Sequence, residues 1–107
     1  AQIFVLRDAG GAVLAIGAFQ AIGSGAVELK SMHTAQAARG QGLGRRLLDG
    51  LLNEARRAGA DSAWLETGAE PAFAAARRLY ESAGFVPCPP FADYRPDPLS
   101  VFMARRL

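Results

Sequence analysis

The chain has 107 residues, half of them hydrophobic and 21% charged, with 12 basic and 10 acidic side chains and a formal net charge of +2. This length suits one domain with one core, and the balance excludes a disordered chain and gives no argument for nucleic acid through bulk charge. A single cysteine, Cys88, excludes an internal disulfide and argues against a Cys/His zinc site, so no metal is expected.

No apolar run approaches the roughly 18–20 residues of a membrane span, and no signal pattern opens the chain, so a cytoplasmic location without a membrane partner is expected. The first residue is alanine and a strand is already under way by Ile3. The start is therefore read as processed or cut, or part of the natural domain as lying outside this chain.

Ile3–Arg7 alternates and is β-rich, and "DAGG" (Asp8–Gly11) is a turn signal, which predicts a hairpin into Ala12–Ile22. "GSG" (Gly23–Gly25) turns the chain again into a third strand, Val27–Thr34. Strict alternation there puts Val27, Leu29, Ser31 and His33 on one face and Glu28, Lys30, Met32 and Thr34 on the other. The period then changes. Leu43, Leu47, Leu48, Leu51, Leu52 and Ala55 form the apolar stripe of an amphipathic helix over Leu43–Ala58, stopped by Gly59. Ser62–Thr67 is a short apolar strand, and strand–helix–strand at this spacing is a crossover that makes the two strands parallel.

Pro71 opens a second helix predicted over Pro71–Ala83, burying Phe73, Ala76, Leu79, Tyr80 and Ala83, with Gly84 as its cap. Phe85–Pro87 and Ser100–Arg105 are the last strand candidates. The proline-rich Pro87–Pro98 between them is read as an ordered surface loop.

The chemistry concentrates in "ARGQGLGRR", where Gly40, Gly42 and Gly44 precede the first helix. A helix N-terminus offers unpaired N–H groups and partial positive charge, and removing side chains before it lets a phosphate sit on those amides. Gly42 and Gly44 would do this clearing, with Arg39, Arg45 and Arg46 adding charge. The plainer alternative is glycine for tight strand-to-helix packing. A P-loop is rejected because Gly44 is followed by two arginines instead of Lys-Ser/Thr. A dinucleotide fold is rejected because the spacing is G-x-G-x-G after three antiparallel strands.

Arg39-Gly40-Gln41-Gly42-Leu43-Gly44 with the following "RRLL" resembles the acyl-CoA pyrophosphate loop of the GNAT superfamily of N-acetyltransferases. "ARRLYESAGF" (Ala76–Phe85) resembles that superfamily's second signature, in the right order and at the right distance. The resemblance implies an α/β acetyltransferase fold, a mixed sheet of about six strands, mostly antiparallel, with a central parallel pair and two main helices. It implies acetyl transfer from acetyl-CoA, as co-substrate, to the amine of a small molecule or peptide by direct attack. The amides of Gln41 to Arg45 would hold the pyrophosphate, with Arg39 opening the motif, and the strand Met32–Thr34, His33 included, would pair its backbone with the pantetheine arm. An N–H near Met32 would polarise the thioester carbonyl. Tyr80 matches the family's general acid.

Glu28 lies where some members place a catalytic glutamate, against the plainer reading of a carboxylate paired with Lys30. His33 is read as a hydrogen-bonded histidine beneath a helix, Cys88 as structural, and Trp64 as packed in the core of the parallel pair. Arg56-Arg57 and Arg77-Arg78 are read as solvated helix faces. Asp93, Tyr94 and Arg95 occupy a loop that often borders the family's acceptor pocket.

Two departures stand out. Phe73 replaces an asparagine that contacts the coenzyme arm in many members, with Thr67 or Gly68 left to compensate. The family's first strand and following two helices, one wall of the acceptor pocket, have no counterpart here. An acyl-CoA-binding module without turnover is thus the alternative function. An arginine-based nucleic-acid binder is a further rival, although nucleic acid is not the expected partner. The exposed edge at Ile3–Arg7 invites pairing into a homodimer.

Overall fold

The computed structural model describes residues 2–35, 40 and 42–107, with Ser31 described by its backbone only. Asp8 makes the first turn: its Oδ1 accepts from the amides of Gly10 and Ala12, both at 2.9 Å, while Gly11 takes φ 88°. This folds β1 (Gln2–Arg7) back onto β2 (Val13–Gly23), and a tight turn then leads into β3 (Ala26–Thr34). After α1 (Leu43–Arg57) comes β4 (Ser62–Gly68). A 3-10 turn at Pro71–Phe73 leads into α2 (Ala74–Ser82), followed by β5 (Val86–Cys88) and β6 (Ser100–Arg106). The six strands form one sheet in the order β1-β2-β3-β4-β6-β5, antiparallel everywhere except the central β3–β4 pair. The expected mixed sheet with a central parallel pair is therefore present.

α1 covers one face of this sheet. Leu43, Leu47, Leu48, Leu51, Leu52 and Ala55 are each at most 5% exposed, and Leu47, Leu48, Leu51, Leu52 and Ala55 pack with Ala15, Phe19, Val27, Leu29, Ala63, Leu65 and Met103. Helix and sheet pack tightly over Gly17, where an added Cβ would stand 2.8 Å from Leu51 Cδ1 and 3.2 Å from Leu47 Cδ2. Replacing Gly17 with valine is expected to lower unfolding stability by about 1–3 kcal/mol through overpacking. A lower urea midpoint at unchanged slope would show this, and an unchanged midpoint would contradict the close packing.

Three expectations need correction. Phe73 does not join the core; it is 44% exposed, because the first turn of the second helical segment is 3-10. Trp64 is only partly buried and faces away from α1, since its neighbours Ala63 and Leu65 take the core positions of the strand. Arg77 is no solvated helix residue: its guanidinium donates to the carbonyls of Gly68, at 2.5 Å, and Glu70, at 3.0 Å, tying α2 to the end of β4. Arg56 and Arg57 do lie on the solvated face, bonded to Asn53 and Glu54. Among the described residues no helix is long and apolar enough to cross a membrane.

Candidate functional site

The two central strands part company early. Parallel pairing runs only through Ala26–Ser62, Val27–Ala63 and Glu28–Trp64, whereas β2 follows β3 to Thr34 and β6 follows β4 to Gly68. A β-bulge accompanies the split. Ile16 pairs with His33 and Ala18 with Lys30, so three steps on β3 answer two on β2. An extra residue bends a strand and reverses its facing. Met32 consequently packs against the core, and His33 is exposed. This corrects the placement of His33 beneath a helix beside Val27 and Leu29, which assumed unbroken alternation. The result is a fork whose facing strand edges carry no ladder between them.

Thr34 closes β3 beside the start of α1: a Cβ on Gly44 would stand 4.0 Å from Thr34 Oγ1 and 3.3 Å from Leu79 Cδ2. Gly44 therefore admits the Leu79 side chain of α2, a close approach of the two helices. Gly40 and Gly42 do a different job. They take φ 81° and 72°, and among the described residues a Cβ on either would meet nothing within 4 Å. Gly42 is the N-cap of α1, with no side-chain cap and no acidic residue in the first turn. Among the described residues no side-chain cap meets the leading N–H groups of Leu43, Gly44 and Arg45, the kind of helix start that can receive an anion.

Leu43 itself is buried. The Arg45 guanidinium is held by Asp49 at 3.0 Å and by the Ser82 carbonyl and hydroxyl at 3.3 and 3.1 Å, which leaves its amide at the helix start. Arg39 and Gln41 lie outside the described residues.

On α2, Tyr80 is 8% exposed and meets Phe85 edge-on, with ring centroids 6.0 Å apart. Burial pushes its phenol above the ordinary tyrosine value, so the hydroxyl stays protonated through the neutral range. Phe73 lies over Gly68, where any Cβ would overlap its ring, and the Gly68 carbonyl is taken by Arg77. Thr67 is partly buried on β4 opposite Val101.

The sheet face away from α1 carries the second cluster. Glu28 is 3% exposed, the one buried charged side chain among the described residues. Tyr94 Oη donates to its Oε2 at 2.5 Å, and Lys30 Nζ stands 3.8 Å from its Oε1. The donor is locked in place because burial-prone rings surround it: Phe91 packs on Trp64, Phe102 and Tyr94, and Tyr94 also packs on Phe102. Holding its proton against Glu28 pushes the Tyr94 phenol up to about 12, with desolvation and the Glu28 and Glu66 charges adding to the effect.

A cavity of about 300 Å³ opens over these groups, lined by Gln20, Ile22, Glu28, Lys30, Ala92, Asp93 and Tyr94. Arg95 is exposed and does not line it. A larger groove of about 560 Å³, bounded by Phe19, Val27 and Ala58–Ala60, contains no titratable side chain. Cys88 is partly buried, and burial raises its thiol, as suits an inert side chain.

Glu28 and Tyr94 were each readable as candidates in the sequence, but their bond was not, since 66 residues separate them. The loop's aromatic spacing at Phe91 and Tyr94 was the available signal.

Comparison with known proteins follows this geometry. The sequence profile described as "Acetyltransferase (GNAT) domain" matches residues 1–87. The N-acetyltransferase YsnE of Bacillus subtilis is 45% identical over 80 residues, which cover 75% of this chain and 53% of that protein. The IAA acetyltransferase of Azospirillum brasilense is 41% identical over 105 residues, covering 97% of this chain and 67% of that protein. Among solved structures, a Klebsiella pneumoniae protein assigned as an acyl-CoA N-acyltransferase superposes with a TM-score of 0.91 at 36% identity, covering 98% of this chain and 71% of that one. YncA from Salmonella typhimurium, solved with acetyl-CoA, gives 0.74 at 29% identity over 97% of this chain and 63% of that one. The chain spans between 53% and 67% of the length of these two curated relatives.

Proposed function

This chain belongs to the acetyltransferase (GNAT) family, and we propose that it moves an acetyl group from acetyl-CoA to the amine of a small molecule or a peptide by direct attack. One observation carries the reading: the fork between β3 and β4 lies beside the glycine-flanked N-terminus of α1, which has no side-chain cap among the described residues. The open space over Gly40 and Gly42 fits a pyrophosphate on the amides that follow, and Arg39 and Gln41 complete the same motif in sequence. The bound thioester supplies an activated acetyl carbon.

The chain's own groups do the rest. Backbone at Met32–Thr34 aligns the pantetheine arm, and one N–H there polarises the thioester carbonyl. Thr67 and Phe73 border the arm from the β4 side. Glu28 takes a proton from the acceptor ammonium, directly or through water. The freed nitrogen bonds the acetyl carbon as the carbon–sulfur bond breaks. Tyr80 protonates the departing sulfur and recovers a proton from the same nitrogen, and the proton on Glu28 passes to solvent. Asp93 and Tyr94 line the acceptor side, with Arg95 at its margin.

The experiment is a thiol assay for free CoA with acetyl-CoA and a panel of spermidine, L-amino acids and peptides with free N-termini, beside calorimetric titration of acetyl-CoA. Release above the amine-free rate with at least one panel member is expected. Binding without release from any of them would favour the acyl-CoA-binding module, and absent binding would overturn both.

A further inference from the structure

The tyrosine above Glu28 does more than line the acceptor cavity. Glu28 sits at the third and last rung of the parallel pair, where the fork opens. Its two oxygens are unequal. Oε2 receives the Tyr94 hydroxyl, whereas Oε1 has Lys30 Nζ at 3.8 Å, beyond hydrogen-bond distance. No buried side-chain polar atom among the described residues lacks a partner, so Oε1 opens onto the cavity that Glu28 lines.

In the loop, Ala92 adopts φ 51°, a left-handed conformation that a residue with a Cβ avoids, between the anchored rings of Phe91 and Tyr94. A strained residue between two anchors shows that the surrounding contacts dictate the loop path to Glu28.

We propose that Tyr94 is a positioning residue that holds Oε2 of Glu28 and thereby presents Oε1 to the acceptor ammonium. The inference rests on the reading of Glu28 as the base. The charged and titratable groups around the pair are Lys30 on β3, Glu66 on β4 and Asp93 on the loop; the β2 neighbour, Gln20, is neutral. Because the folded-state value of the Tyr94 phenol lies above its ordinary 10.0, the bond's contribution is intact below about pH 10 and is lost as pH rises through about 12.

Two measurements test this. Absorbance titration of tyrosinate should show one tyrosine of the wild-type chain ionising near pH 12 and returning toward 10 in Glu28→Gln; an unmoved curve overturns the bond. A double-mutant cycle then reads CoA release from acetyl-CoA with the fastest amine of the panel. Tyr94→Phe is expected to lower kcat about tenfold at unchanged KM for acetyl-CoA, and to have little further effect in the Glu28→Gln background. Equal losses in both backgrounds would mark a structural role and overturn the inference. Full activity of Tyr94→Phe beside a slow Glu28→Gln would overturn it alone, leaving Glu28 as the base. Full activity of Glu28→Gln would remove the base reading and this inference with it.

Discussion

Replacing Gly42 with valine is expected to weaken acetyl-CoA binding by at least about 100-fold. Two effects add. Gly42 sits at φ 72°, a conformation that costs a β-carbon-bearing residue roughly 1–2 kcal/mol, so that a valine turn relaxed out of it in the free protein must regain it to bind. The new side chain would also occupy the open space before the first-turn amides, and each hydrogen bond lost to a charged phosphate is worth about 1.5–3 kcal/mol. A combined loss near 3 kcal/mol corresponds to roughly two orders of magnitude in Kd. Calorimetric titration with acetyl-CoA reads the effect.

Gly44→Ala is the informative control, because its Cβ would press on Leu79 at 3.3 Å instead of on the phosphate position. It should lower the melting temperature more than the affinity. Unchanged affinity in a folded Gly42→Val protein would overturn the pyrophosphate assignment.

Replacing Tyr80 with phenylalanine is expected to lower kcat by about 100-fold, the lower end of what general acid catalysis contributes, while acetyl-CoA affinity stays within about twofold because the binding amides are untouched. The ring, 8% exposed and edge-on to Phe85, is retained by the substitution. The substitution removes only the hydroxyl and keeps the buried ring, so stability should change little. Burial keeps this phenol protonated well above neutral pH, the state that an acid must hold when the sulfur departs. Steady-state rates with saturating acetyl-CoA and a panel amine provide the measurement. Wild-type turnover in Tyr80→Phe would mean that the thiolate leaves without this proton and that the tyrosine serves packing alone.

The two predictions differ in how far the sequence supports them. Gly42 and Tyr80 belong to local motifs, and each keeps its meaning within one turn of helix: a residue at positive φ before a first-turn amide row, a tyrosine on the buried side of α2. Local chemistry of that kind is legible because the interacting atoms are near in the chain. The helix stripe from Leu43 to Ala55 and the alternation of Val27 and Leu29 are legible for the same reason, since burial repeats with the period of the element. Strand order was also within reach, because hairpins and one crossover leave few topologies open.

What periodicity misread was each place where one residue breaks the period. The bulge between Lys30 and His33 reversed the facing of Met32 and His33, and nothing in the string Lys-Ser-Met-His announces an extra residue on one strand of a pair. Phe73 was assigned to a helix face, but the segment begins as a 3-10 turn whose different pitch turns the ring onto Gly68. The sequence by itself thus determined the family, the sheet's parallel centre and the glycine-flanked turn before α1. Only the tertiary structure decided the surroundings of Glu28: that it is buried, that its Oε2 is held by Tyr94, and that Trp64, Phe91 and Phe102 seat the loop that brings that hydroxyl in. The physical reason is contact range. Glu28 and Tyr94 stand 66 residues apart, and their meeting is decided by the packing of a loop on a sheet face, which no local pattern encodes.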